Sequence, residues 1–217
     1  MADPARVLIV DDHAIVRFGL VQVLEPDPRF EVCGEAATAM EAKRLVTAAR
    51  PNLAIVDLVL GGRDGLGLLQ EIRALDTGLH VLVFSAQPEM VYARRAFGAG
   101  ARGYLMKDAG VEKVPEALAV LLLGKRYASD AVQRAMFQEA AAGRGATAGS
   151  LGALSDRELQ VLRLLGVGLG SAEIAAELSL SMKTVGTYRE RLKAKLGADN
   201  ALQLEQRAAE FVRTGTL

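Results

Sequence analysis

The sequence predicts an α/β domain built on a five-stranded parallel sheet, followed by a small all-α domain of four helices. In the first half, short apolar runs alternate with longer amphipathic stretches. The runs VLIV, LAIV and VLVF are nearly continuous, as in strands buried on both faces. From Leu154 onward the apolar spacing is helical. With 217 residues and 51% hydrophobic content, the chain has room for one or two domains with buried cores.

Strands are expected near residues 6–10, 30–34, 53–57, 80–84 and 102–105, with helices between them and one after. That last helix, over residues 111–123, carries Val114, Leu118, Leu121 and Leu122 at helical spacing. Residues 129–142 are alanine-rich and helical in pattern. Residues 143–152, GRGATAGSLG, hold four glycines and read as a flexible linker, with a span of about 17 Å for a coil of that length. In the second domain, Ser155 with Glu158 fits a capping box ahead of the stripe Leu159, Leu162, Leu165. Ser171 is the expected cap of the next helix, over residues 172–178. Ser181 caps a longer helix over 182–196, in which Val185, Leu192 and Leu196 face the core. A fourth helix spans about 200–212. The predicted organisation is residues 1–124, an interdomain helix and linker over 125–150, and a second domain over 151–217.

The start MADPARVLIV has no basic stretch followed by a long apolar core, and the longest apolar run, residues 117–123, is too short to span a bilayer. The single cysteine, Cys33, has no partner for an internal disulfide and reads as a small buried strand residue. Both features predict a cytoplasmic protein with no membrane partner. The net charge of zero conceals unlike parts: residues 1–124 carry 13 Lys/Arg against 16 Asp/Glu, a net of −3. Residues 182–196 carry five cations against the single anion Glu190, a net of +4 on one helix.

Parallel strands gather their carboxyl ends along one edge, where open α/β sheets place ligands. Here those ends deliver Asp11 and Asp12 after VLIV, Asp57 after LAIV, Ser85 after VLVF and Lys107 after GYLM. A carboxylate can attack a phosphoryl donor and hold the group as an acyl phosphate, a role that falls to Asp57. Three adjacent carboxylates repel unless they share a hard cation with oxygen ligands, which points to Mg2+. Lys107 supplies a cation for the phosphate and Ser85 a hydroxyl donor. Each residue alone is explained as a turn, cap or solvated surface group; five at successive strand ends are not.

The segments VLIVDDH, IVDLVLGGRDGL, VLVFSA and GYLMKD stand in the order and spacing of bacterial response-regulator receiver domains, and residues 7–123 resemble that family. The resemblance implies a flavodoxin-like (βα)5 fold and phosphorylation of Asp57 by a histidine kinase. It implies Mg2+ held by Asp12, Asp57 and the carbonyl of Val59, and by Asp11 through water, with Ser85 and Tyr104 as the switch pair. Two positions depart from the pattern: Gly61 and Asp108 stand where many receivers have proline, which makes a looser turn after Asp57 and leaves in doubt the strained bond expected near Lys107.

Beyond Leu154, LSDRELQVLRLLGVGLGSAEIAAELSLSMKTVGTYRERLKAKLG has helix-turn-helix spacing, with the basic helix second. Such a helix fits the major groove while its cations neutralise phosphates. This segment resembles the LuxR-type output domain of NarL/FixJ response regulators, over residues 154–212. The resemblance implies phosphate contacts by Lys183, Thr184, Tyr188, Arg189 and Lys193, and base reading at Gly186, Thr187 and Glu190. The function expected is that of a DNA-binding regulator, not an enzyme: phosphorylation of Asp57 favours a homodimer on double-stranded DNA. The alternatives are a DNA binder indifferent to phosphorylation and an aspartyl-phosphate phosphatase; the latter needs Asp-x-Asp after its first strand, where this chain has Asp11-Asp12.

Overall fold

The structure, a computed structural model, describes residues 3–61, 63–75, 78–142 and 153–214. It divides into two compact units, residues 1–134 and 135–217. The linker expected over 143–152 lies outside the described residues.

The first unit runs β1 (Ala5–Val10), α1 (Ala14–Leu24), β2 (Phe30–Ala36), α2 (Ala39–Ala49), β3 (Leu53–Val56), β4 (Val59–Leu60), β5 (Arg63–Asp64), α3 (Gly65–Ala74), β6 (His80–Ser85), α4 (Glu89–Ala99), β7 (Gly103–Met106) and α5 (Val114–Leu122). Helix α6 (Asp130–Ala142) follows and crosses the division between the units. Five strands form one parallel sheet in the order β2-β1-β3-β6-β7, so the chain reverses direction across the sheet beside β1. Val7, Ile9, Leu53, Ile55, Leu82 and Phe84 pack with Leu118 and Leu121 of α5 in the core. These are the apolar runs that mark the strands in the sequence.

Local differences from the sequence expectations have physical causes. The predicted helix over 111–123 is a 3-10 turn, Val111–Lys113, followed by α5, because Pro115 lacks an N–H and fits only in a first helical turn. Cys33 sits at a bulge: Val7 pairs with Val32 and Leu8 with Gly34, which leaves Cys33 outside the ladder and half-buried, its thiol directed at the Val7 carbonyl at 3.4 Å. The hairpin of β4 and β5 was not foreseen from the sequence. At its turn Gly61 has φ +55° and its N–H donates to Asp12 Oδ2 at 2.8 Å. Proline, fixed near −65° and without a donor, could fill neither role. No cis peptide bond occurs among the described residues, the one after Lys107 included.

The second unit contains α7 (Asp156–Gly166), α8 (Ser171–Glu177), α9 (Met182–Leu196) and α10 (Ala201–Thr214). The Ser155–Glu158 capping box forms as the sequence predicts, and Ser181 caps α9 by accepting from the Thr184 N–H at 3.0 Å. Ser171 is not a cap but the first residue of α8. Gly170 precedes it and donates its N–H to Glu173 Oε2 at 2.7 Å, so the helix starts one residue early. Leu159, Leu162, Leu165, Val185, Leu192 and Leu196 are all buried.

Candidate functional site

The carboxyl ends of β1, β3, β6 and β7, four adjacent strands, bring Asp11, Asp12, Asp57, Ser85 and Lys107 into one pocket. Asp11, Asp57 and Ser85 are almost fully buried. Lys107 Nζ lies 2.6 Å from Asp57 Oδ2 and 2.6 Å from Asp11 Oδ2. On the other oxygen of Asp57, the Ser85 hydroxyl donates at 2.7 Å and the Val59 N–H at 3.2 Å. Burial alone lowers the affinity of the Lys107 ammonium for its proton, but the hydrogen bonds to Asp11 and Asp57 outweigh it and hold the pKa above the usual lysine value.

One ammonium among three carboxylates leaves a net of two negative charges in a confined space. Asp11, Asp12, Asp57 and His13 each offer a ligand atom, all within 4.8 Å of one another. Asp12 Oδ1 is buried and has no hydrogen-bond partner among the described residues. The His13 Nδ1 approaches that oxygen to 2.8 Å, close enough for attraction but without hydrogen-bond alignment. A carboxylate set with an unsatisfied oxygen and surplus negative charge fits a hard divalent cation.

Several residues that hold the pocket carry little sequence signal. Arg17 of α1 donates to the Asp11 carbonyl at 2.7 Å. Gly65 begins α3 against the backbone of Asp57: a Cβ there would lie 2.5 Å from the Asp57 carbonyl oxygen and 2.6 Å from Leu58 Cα. Gly65 was not singled out from the sequence, because the close approach joins it to Leu58 and Asp57, seven and eight positions back. Tyr104, buried beside β6, donates its hydroxyl to the Gln87 carbonyl at 2.8 Å, and the Gln87 N–H points back to Ser85 Oγ at 3.4 Å. Burial, with the nearby Tyr92, Asp57 and Glu89, pushes the Tyr104 phenol well above its ordinary pKa, so it stays a donor.

On α9 the predicted contact residues are arranged unequally. Lys183 and Thr187 are exposed near its N-terminal end, while Thr184 and Tyr188 are half-buried. Gly186 has open space where a Cβ would stand, so packing does not require glycine there. Arg189 is clamped from two sides, 2.8 Å from Glu205 of α10 and 3.4 Å from the Ser171 hydroxyl of α8. Lys193 pairs with Glu190 at 2.8 Å. Lys195 turns inward and bonds buried Glu158 at 2.7 Å and the Ala153 carbonyl at 2.9 Å. Burial would raise the Glu158 carboxyl, but bonds from Lys195 and Ser155 hold it below the usual range.

The family model for the response regulator receiver domain matches residues 7–119, and that for bacterial regulatory proteins of the luxR family matches residues 152–208. The chain belongs to the response regulators. It is 35% identical over 201 residues to the virulence factors putative positive transcription regulator BvgA of Bordetella pertussis, covering 92% of this chain and 94% of that one. It is 34% identical over 211 residues to the DNA-binding transcriptional activator DevR/DosR of Mycobacterium tuberculosis, covering 96% of each. Among solved structures, the RcsB response regulator of Salmonella typhimurium aligns over 100% of both chains at 26% identity with a TM-score of 0.72. Another RcsB structure, bound to promoter rprA in the presence of phosphomimetic BeF3-, aligns over 95% of this chain and 98% of that one, at 26% identity with a TM-score of 0.67. This response regulator thus joins a receiver to a LuxR-type DNA-binding domain, and its relatives regulate transcription. No described helix is long and apolar enough to cross a membrane.

Proposed function

We propose that Asp57 accepts a phosphoryl group from a histidine kinase and that the modified receiver drives homodimeric binding of double-stranded DNA through α9, in the cytoplasm. The observation that carries this reading is the double engagement of Asp57, with Lys107 on one oxygen and Ser85 on the other. A carboxylate oxygen of Asp57 attacks the phosphorus of a phosphohistidine. The O–P bond forms as the N–P bond breaks, and the imidazole nitrogen keeps the bonding pair.

Asp12, Asp57 and the Val59 carbonyl would hold Mg2+, with Asp11 acting through water. The ion, when bound, neutralises charge on the transferring group. Lys107 meets the phosphoryl charge opposite. The Ser85 hydroxyl exchanges its bond to Asp57 for one to a phosphoryl oxygen, which withdraws it from Gln87. Tyr104, already turned inward and bonded to the same Gln87, moves with it.

In the output domain, Lys183, Thr184, Tyr188, Arg189 and Lys193 contact phosphates. Gly186, Thr187 and Glu190 face the bases, and Gly186 admits a close approach of the groove. Glu205 and Ser171 hold Arg189 in place before DNA arrives. That relatives are DNA-binding regulators, and that RcsB is solved on a promoter with a phosphoryl mimic, supports the reading.

Asp57→Asn tests it. With acetyl phosphate and Mg2+, the wild type is expected to become labelled and Asp57→Asn to lose the label; equal labelling of both proteins would overturn the assignment.

A further inference from the structure

The segment between α5 and α6 does not leave the receiver. Tyr127 extends the sheet beyond its edge strand β7, bridging Gly103: its N–H donates to the Arg102 carbonyl at 3.1 Å and its carbonyl accepts from Tyr104 at 2.9 Å. On one side of this bridge the Arg126 guanidinium stands 5.7 Å from the centre of the Phe97 ring, near the C-terminal end of α4. On the other, the Ser129 hydroxyl donates to Glu89, the first residue of α4, at 2.7 Å. Residues 125–129 are therefore tied to both ends of α4 and to β7 between them.

Ser129 has a second task. Its Oγ accepts from the Val132 N–H at 3.2 Å and its carbonyl from Gln133 at 3.0 Å, which caps the first turn of α6. Two of the partners of this segment, Glu89 and Tyr104, stand close to Gln87. Gln87 contacts Ser85 through its N–H and Tyr104 through its carbonyl, and it stands two residues before Glu89. Ser85 in turn holds Asp57. Contacts thus run without a gap from the acidic pocket to the helix that leads toward the output domain. Gln87 Oε1 is buried without a hydrogen-bond partner among the described residues, so this junction is not tied down at every atom.

We propose that residues 125–129 form a strap that passes the state of Asp57 to α6, with the Ser129–Glu89 hydrogen bond as its releasable end. The inference rests on the reading of Asp57 as phosphoacceptor. When Ser85 turns to the phosphoryl group, the Gln87 turn shifts, and Glu89 and Tyr104 shift with it. Ser129 loses its anchor, the Tyr127 bridge loosens, and the first turn of α6 frays. Such a strap couples the pocket to α6 energetically, and a readout at both ends measures that coupling.

Amide hydrogen exchange on the full chain, with and without beryllium fluoride and Mg2+, supplies it. In the wild type the mimic should speed exchange at Tyr127 and Val132 at least about 5-fold, together with a change over residues 85–89. Ser129→Ala should exchange fast at both amides in either state, and Ser129→Thr, which keeps a hydroxyl, should restore the response. Glu89→Ala leaves the cap on Val132 intact, yet should free Tyr127 without the mimic, which separates a strap from simple cap loss. A wild type that responds at residues 85–89 but not at 127 and 132, or a Glu89→Ala variant with a wild-type response, would overturn the strap. Absence of any change near Asp57 and Ser85 would overturn the acceptor reading itself, and the strap with it.

Discussion

The acidic pocket and the basic helix are both charged, but they use charge in opposite ways. In the pocket, Lys107 is drawn out of water to 2.6 Å from both Asp11 and Asp57, leaving an excess of negative charge that fits a divalent cation. On α9, several of the cations that mark the helix in the sequence are partnered inside the domain: Arg189 by Glu205, Lys193 by Glu190 and Lys195 by Glu158. Buried charge at a strand end advertises chemistry. Charge on an exposed helix advertises it only after the structure shows which groups are already engaged.

The comparison breaks hardest at Gly65. If the pocket depends on backbone contact as much as on charge, Gly65→Ala should destabilise the receiver by about 3 kcal/mol, the upper end for overpacking, because neither partner of the new methyl is a side chain that can yield. Denaturant unfolding and acetyl phosphate labelling would both report it, and a wild-type result in both would show that α3 can withdraw from Asp57 at little cost.

A smaller effect is expected at Glu158, the one buried charge among the described residues of the second unit. Glu158→Gln should lose about 2 kcal/mol at neutral pH, the scale of a hydrogen bond to a charged group. The folded state holds this carboxyl below its ordinary value, so its contribution is complete above about pH 4.5, the ordinary glutamate value. It fades as pH falls through the lower folded-state pKa. Thermal unfolding of the two proteins should therefore converge in acid; a constant gap down to pH 2.5 would assign the loss to packing.

The smallest effect sharpens the distinction within α9. Lys183→Ala should weaken DNA binding and lower the log–log salt slope by about one. Lys195→Ala should leave the slope unchanged while lowering the thermal midpoint of the second unit, because its ammonium is occupied by Glu158 and the Ala153 carbonyl. Equal slopes for Lys183→Ala and the wild type would remove α9 as the phosphate-contacting surface.

These contrasts explain what was legible in the chain. VLIV, LAIV and VLVF are apolar throughout, and a residue directly after such a run can only emerge at the carboxyl edge, so Asp11, Asp57 and Ser85 follow from periodicity. Ser155 and Ser181 were legible as caps because their partners lie three residues away. Contacts across long sequence separations were not legible. Nothing in the string joins Ser129 to Glu89, Arg189 to Glu205 or Gly65 to the Asp57 carbonyl. The start of α8 was misplaced by one residue because Ser171 suits a cap, and only the reach of Glu173 back to Gly170 decides the matter.

The turn after Asp57 has a practical consequence for engineering. Replacing a residue with the one its relatives favour commonly raises stability. At position 61 a proline introduced on that reasoning would instead lose the left-handed turn and with it the amide that steadies Asp12. Generic stabilising substitutions are a poor guide in this loop, where one glycine forms part of the wall beside the acidic cluster.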